Sequence, residues 1–174
     1  MLQNPLQREE GFRLLVNVYK KRLYWHIRGL VLLHDDADDV LQNTFIKVFR
    51  NIGKFRADSA LYTWMFRIAT NESLSFLKSA AKKTNMSLEL VQQERIRNLK
   101  SDPYFDGDEL ELSLQEAIVT LPERQQMVFR MKYFQDMKYE EMSELLGTSV
   151  GSLKASYHHA RKKIEERIMK NAEG

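Results

Sequence analysis

Residues 139–163 read YEEMSELLGTSVGSLKASYHHARKK, and their pattern decides the fold. Met142, Leu145 and Leu146 give a short acidic segment one apolar edge. Gly147 ends that segment, and Thr148 and Ser149 are good caps for a helix that follows. Val150, Leu153, Tyr157, Ala160 and Ile164 then recur at three- and four-residue spacing, which puts them on one face. Lys154, His158, Arg161 and Lys162 fall mostly on the opposite one. A short helix, a glycine turn and a basic second helix make a helix-turn-helix, the arrangement that sets a polar helix into the DNA major groove. Helical hairpins whose basic face only meets solvent have the same periodicity, so the rest of the chain must carry part of the assignment.

Composition narrows the field. The chain has 174 residues and 43% hydrophobic content, enough for one ordinary domain or two small ones with packed cores. Three prolines, seven glycines and apolar spacing that is helical nearly throughout imply an all-α protein. With no cysteine, disulfides and cysteine-ligated zinc are excluded, and most zinc-finger DNA binders with them. The net charge is only +3, but it is unevenly placed. Lys154, Arg161, Lys162, Lys163, Arg167 and Lys170 crowd the C-terminal part, whereas Asp102, Asp106, Asp108, Glu109, Glu111 and Glu116 make residues 101–116 acidic. Such segregation suits nucleic-acid contacts away from the middle of the chain. No apolar run is long enough to span a membrane and MLQNPLQREEGF lacks a signal-peptide profile, so a cytoplasmic protein without membrane insertion is expected.

Along the chain, a first helix is expected from Pro5 to Leu33, its apolar residues (among them Phe12, Val16, Trp25 and Val31) placing it inside a bundle. Asp35, Asp36, Asp38 and Asp39 then open a second helix, where carboxylates meet the positive end of the helix dipole. A calcium loop is excluded there, because Val40 stands where an EF-hand needs glycine. Leu41, Phe45, Val48 and Phe49 form that helix's core stripe, with Gln42, Asn43, Lys47 and Arg50 outward and Val40 partly exposed. After a loop with Gly53 as breaker, a third helix runs from Ala60 to Ala81. The expected organisation is an N-terminal bundle of three or four helices over residues 1–84, a flexible linker over 85–111 with marginal helix around Ser87 to Leu99, and a C-terminal helix-turn-helix domain over 112–174. Aromatic and basic residues interleave from Phe55 through Arg56, Tyr62, Trp64 and Phe66 to Arg67. That pattern fits a platform for unpaired bases, although helical spacing favours a core role for Tyr62, Trp64 and Phe66.

Three segments, DDVLQNTF at 38–45, FRADSALYTWMFRIATN at 55–71 and the C-terminal stretch 121–163, together resemble the extracytoplasmic-function (ECF) sigma factors of bacterial RNA polymerase, in the right order over nearly the whole chain. The resemblance implies a two-domain initiation factor that docks on core polymerase, reads the upstream promoter element with the helix-turn-helix and melts the downstream one. It assigns polymerase docking to Asp39, Val40, Gln42, Asn43 and Phe45, and the minus-ten element, with a flipped base, to Phe55, Arg56, Asp58, Ser59 and Asn71. It assigns base reading at minus thirty-five to Lys154, Ala155, His158 and His159, and backbone positioning to Lys132, Ser149, Gly151, Ser152 and Arg161. It further implies an inhibitory anti-sigma partner. Many relatives carry serine at the position of Ala155 and arginine at those of Ser156 and His159, which implies weaker upstream binding or different preferred bases here.

The competing class is a free-standing helix-turn-helix regulator with an N-terminal sensor, which would need a ligand cavity where residues 35–55 instead offer a polar helix face. An enzyme is not expected, and no cofactor or metal: there is no phosphate-binding glycine loop, no metal-ligand spacing and no nucleophile paired with a base. A protein-binding adaptor is the remaining class, separated from a sigma factor by the absence of DNA-dependent activity.

Overall fold

The structure is a computed structural model, described here for residues 7–174. Among these residues there are eight α-helices and no strand. The all-α expectation holds. The chain divides into two compact units, Met1–Ser79 and Ala80–Gly174.

The first unit is built on α1 (Arg8–Val31), α2 (His34–Asn51) and α3 (Leu61–Thr84), with a single 3-10 turn at Ile52–Lys54. The helix start expected at Pro5 lies outside the described residues. Helix α1 buries Leu15, Leu23, Ile27 and Leu30; α2 buries Ala37, Val40, Leu41, Thr44, Phe45 and Val48; α3 buries Tyr62, Met65, Phe66, Ala69 and Leu77. The three sets interlock at Leu23, Ile27, Val40, Val48, Met65 and Phe66, each 2% exposed or less. The α1–α2 connection is tight, and Leu32 within it takes φ 74, a left-handed value unusual for leucine. Its side chain is only 4% exposed, so burial offsets the backbone strain.

One polar tie crosses this core. The His26 ring stacks on Phe66 with centroids 3.9 Å apart, and its Nε2 lies 2.8 Å from the Thr70 hydroxyl. Thr70 donates its own proton to the Phe66 carbonyl, so it accepts from His26, which fixes the neutral Nε2–H imidazole. Burial holds the His26 pKa down at about 3.

The second unit contains α4 (Leu88–Leu99), α5 (Glu109–Ile118), α6 (Glu123–Tyr133), α7 (Tyr139–Leu146) and α8 (Val150–Glu173). Its core joins Ala117, Ile118 and Leu121 to Phe129, Ala160 and Ile164, with Tyr157 packed alongside. Tyr133, Phe129 and Tyr157 stack in a row, centroids 5.1 and 5.7 Å apart. Helix α8 packs against α5, α6 and α7, and α6 is the most buried of the five, with Gln126 to Met131 all buried. Its two polar members are satisfied largely by neighbours. The Gln126 amide donates to the Val119 and Leu121 carbonyls, and Arg130 donates to Gln115 Oε1 at 2.9 Å. Burial lowers the Arg130 pKa to about 10.

Within residues 85–111, α4 is capped by Ser87, whose hydroxyl accepts from the Leu90 amide at 3.2 Å. Val91, Ile96 and Leu99 are buried, and the Gln92 amide reaches Gln126 Oε1 of α6. Helix α5 is likewise capped, by Asp108 accepting from the Glu111 amide at 3.0 Å.

Three exposures differ from the sequence expectation. Val40, read as partly exposed, is 2% exposed and belongs to the buried stripe of α2 with Ala37, Leu41 and Thr44. Phe49, read as core, is 38% exposed; its ring meets Phe12 edge-on at 5.0 Å and lies under the Arg8 guanidinium. Trp25, read as part of the apolar body of α1, is 54% exposed.

Candidate protein and nucleic-acid interfaces

Helix α2 presents Asp39, Gln42 and Asn43 outward while Val40 and Phe45 anchor it from beneath. Of the five residues expected to dock polymerase, three therefore lie on the surface and two in the core. An open groove runs between α1 and α2, with Phe12, Val16 and Phe45 in its lining and Asp39, Gln42 and Arg50 along it. Ile46 and Phe49 add 41% and 38% exposed apolar surface there. Both were outside the expected docking set; for Ile46 the signal was an apolar residue beside the outward Gln42, Asn43 and Lys47, whereas Phe49 was read as core. An apolar strip within a polar rim is the composition of a helix-binding protein interface.

The loop 55–60 leads from this helix to α3. Phe55 is half-buried against Trp64, ring centroids 5.4 Å apart, and Arg56 and Asp58 are exposed. Ala57 sits at φ 58, so the loop turns sharply on a residue without glycine's freedom. Trp64, Arg67 and Asn71 follow at three- and four-residue spacing and share one face of α3, with Arg67 and Asn71 exposed. The surface is therefore continuous from Phe55 through Trp64 to Asn71. Tyr62 and Phe66 point the other way into the core, 8% and 1% exposed. Burial raises the Tyr62 pKa to about 12 against the opposing pull of Arg22, whose guanidinium lies 4.0 Å from its ring centre.

In the second unit the helix-turn-helix forms as its sequence dictates. Gly147 ends α7 at φ 64, a left-handed conformation that favours glycine, and its amide donates to the Ser143 carbonyl at 2.9 Å. The Ser143 hydroxyl donates to the Thr148 carbonyl at 2.6 Å, and Ser149 caps α8 by accepting from the Ser152 amide at 3.2 Å. Leu153, Ala160 and Ile164 are buried, which fixes the rotation of α8. Gly151, Ser152, Lys154, Ala155, His158 and His159 then occupy the exposed side. Lys162 stands among them, four residues beyond His158; the resemblance did not include it, although its spacing did.

Two expected backbone-positioning cations are engaged within the fold. Lys132 donates to the Met137 carbonyl at 3.0 Å and lies 4.7 Å from the Tyr139 ring centre, which closes the α6–α7 turn. Arg161 donates to Glu165 at 2.8 Å, and this hydrogen bond and charge hold its pKa up. Lys154 is exposed, 5.7 Å from the Tyr139 ring centre. Among the described residues no cluster of histidine, aspartate or glutamate could hold a metal ion, and no helix is long and apolar enough to cross a membrane.

A helical unit with an apolar groove and an aromatic-cationic loop, followed by a helix-turn-helix unit, defines a two-part DNA-binding protein with a protein-docking face. The first part matches the family described as Sigma-70 region 2 over residues 15–83, and the second matches Sigma-70, region 4 over residues 111–164. RNA polymerase sigma-H factor of Pseudomonas aeruginosa is 29% identical over 172 residues, covering 92% of this chain and 87% of that one. ECF RNA polymerase sigma-E factor of Escherichia coli is 29% identical over 168 residues, again covering 92% and 87%. Among solved structures, the sigma factor RpoE in complex with the anti-sigma factor NepR from Bartonella quintana superposes with a TM-score of 0.64 at 19% identity, over 92% of this chain and 98% of that one. CnrH in complex with the cytosolic domain of CnrY gives 0.62 at 22% identity, over 95% and 91%. The chain belongs to the sigma-70 family as an ECF sigma factor, which binds core RNA polymerase and directs promoter-specific initiation of transcription.

Proposed function

We propose that the two units divide promoter recognition, the first docking on polymerase and opening the downstream element, the second reading the upstream element as duplex. The observation that carries this reading is the rotation of α8: its buried stripe of Leu153, Ala160 and Ile164 leaves Lys154, Ala155, His158, His159 and Lys162 together on the outer side. Lys154 donates to guanine acceptors, Ala155 and the two imidazoles read neighbouring base edges, and Lys162 adds phosphate affinity. The capped start of α8 offers the Gly151 backbone amide and the Ser149 and Ser152 hydroxyls to a phosphate, the Ser152 amide being held by the Ser149 cap. Lys132 acts mainly by fixing the α6–α7 turn, and Arg161 reaches a phosphate by exchanging Glu165 for it.

In the first unit, Asp39, Gln42 and Asn43 meet a polymerase helix across the α1–α2 groove, with Val40 and Phe45 supporting their helix from the core. Phe55, Arg56, Asp58 and Ser59 surround the extruded base of the melted strand, and Asn71 offers both a donor and an acceptor to it. The related structures solved with anti-sigma factors support an inhibitory protein partner for this chain as well. The protein acts without catalysis of its own, in the cytoplasm where polymerase works.

The test is transcription in vitro by core polymerase on a pool of random promoters. Gln42→Ala is expected to lose polymerase association; Asn71→Ala keeps association and upstream binding but loses strand opening, read by permanganate reactivity. Lys154→Ala relaxes base preference upstream only. Full strand opening by Asn71→Ala would overturn the melting assignment, and unchanged upstream preference in Lys154→Ala would overturn the duplex one.

A further inference from the structure

Helix α1 has an apolar face that its own unit leaves open. Leu14, Val18 and Trp25 are 53%, 68% and 54% exposed. At about 100° per residue the three fall within an arc of about 40° and span about 16 Å of helix. Leu15, Leu23, Ile27 and Leu30 occupy the packed side of the same helix. A tryptophan is the residue most often found as the anchor of a protein interface, and this one is held in place before any partner arrives. Its ring meets Tyr24 edge-on at 5.2 Å, and the Tyr24 hydroxyl is in turn fixed by His34 Nδ1 at 2.7 Å and by the Arg28 guanidinium at 3.0 Å.

Charge decides the occupant. Beside the stripe, helix α1 carries Lys21, Arg22 and Arg28 against Glu10, whereas Arg8 and Lys20 lie toward the α1–α2 groove and Arg13 pairs with Glu9. Exposed Lys21 flanks the stripe directly, with Arg28 two turns on along the same flank and Arg22 beyond the other edge. We propose that this face is a docking site for an acidic amphipathic helix of a partner protein, with Trp25 as its anchor and Lys21 facing the partner's carboxylates. Three turns of apolar stripe match the leucine spacing of one helix laid along another. A second copy of α1 would bring like charges together, which opposes self-association through this face. The inference stands apart from the groove between α1 and α2, which lies on the other side of α1, and does not depend on the roles assigned there.

The experiment titrates the full chain with a helical peptide of about five turns that carries leucines at three- and four-residue spacing flanked by glutamates. The control is the same peptide with lysines in place of the glutamates. Tryptophan emission reports binding, with Trp25→Phe confirming that the signal comes from this face. The acidic peptide is expected to shift the emission to the blue and to bind at least about tenfold tighter than the lysine peptide. Val18→Asp, at the most exposed position of the three and so harmless to the core, abolishes that binding, and Lys21→Glu narrows the preference. Equal binding of the two peptides, or acidic-peptide binding that survives Val18→Asp, overturns the proposal. So does binding to phosphatidylglycerol vesicles without response to either peptide, or a Val18-dependent dimer in sedimentation of the chain alone.

Discussion

Mild acid should loosen the first unit through His26. The imidazole is 2% exposed, stacked on Phe66 and bonded to Thr70, and its pKa is held at about 3 by burial alone. In the unfolded chain it returns to about 6.5. The folded pKa is depressed, so the unfolded state binds a proton that the folded state refuses, and stability falls as pH drops below about 6.5. The full shift corresponds to about 5 kcal/mol below about pH 3; at about pH 5 the loss from this site is about 2 kcal/mol, and above about pH 7.5 it vanishes. Both tryptophans, Trp25 and Trp64, lie in this unit, so intrinsic fluorescence follows its unfolding in urea separately from the second unit. His26→Asn removes the titrating group. Its stability, measured from about pH 7.5 to about pH 5, is expected to change by about 2 kcal/mol less than that of the parent chain. Parallel pH profiles for the two proteins would refute both the burial argument and the neutral tautomer deduced from Thr70.

Gly147→Ala places a side chain at φ 64 with open space around it, so only backbone strain applies; the second unit should lose about 1 kcal/mol in thermal unfolding. Ser149→Ala removes the cap of α8 and should cost a similar amount, about 1 kcal/mol, with upstream DNA binding weakened at least in proportion. Lys154→Ala should lower the slope of log affinity against log salt by about 0.9 if the lysine neutralises a phosphate, and leave it unchanged if it touches bases alone; filter binding over a salt series separates the two. Gln126→Leu cuts the amide bonds to Val119, Leu121 and Gln92 at once, and amide hydrogen exchange should show α4 opening more readily than α8.

The helix-turn-helix was legible because every local signal agreed there. Gly147 supplies the left-handed turn, Ser149 the cap, and Leu153, Ala160 and Ile164 a buried stripe at helical spacing, so periodicity alone fixed which side of α8 faces outward. The three helices of the first unit were legible for the same reason. Helix α4 was harder, because only Val91, Ile96 and Leu99 mark its packed side and nine of its twelve residues are not buried. What holds it is partly polar, the Gln92–Gln126 bond, and glutamine pairs carry no periodic trace in a sequence. Lys132 illustrates a second limit: a lysine at the end of α6 reads as free charge until the α6–α7 turn brings the Met137 carbonyl and the Tyr139 ring against it.

The two residues read as core and found exposed, Trp25 on α1 and Phe49 on α2, share one physical cause. A hydrophobic residue in a helix is read as inward because burial is the commonest fate of its surface, but a helix has a circumference and its neighbours cover only part of it. On α1 the buried residues Leu15, Leu23, Ile27 and Leu30 already span about 120° of the helix wheel. Leu14, Val18 and Trp25 centre about 140° away from the middle of that arc, too far for the same neighbours to reach. Phe49 on α2 is the smaller case, since Phe12 and the Arg8 guanidinium cover only part of its ring. The width of the apolar arc, rather than the count of apolar residues, is therefore what separates a helix that only packs from one that also binds. On this chain α1 and α2 both carry exposed apolar side chains beside charged ones, which is the surface composition of a protein interface.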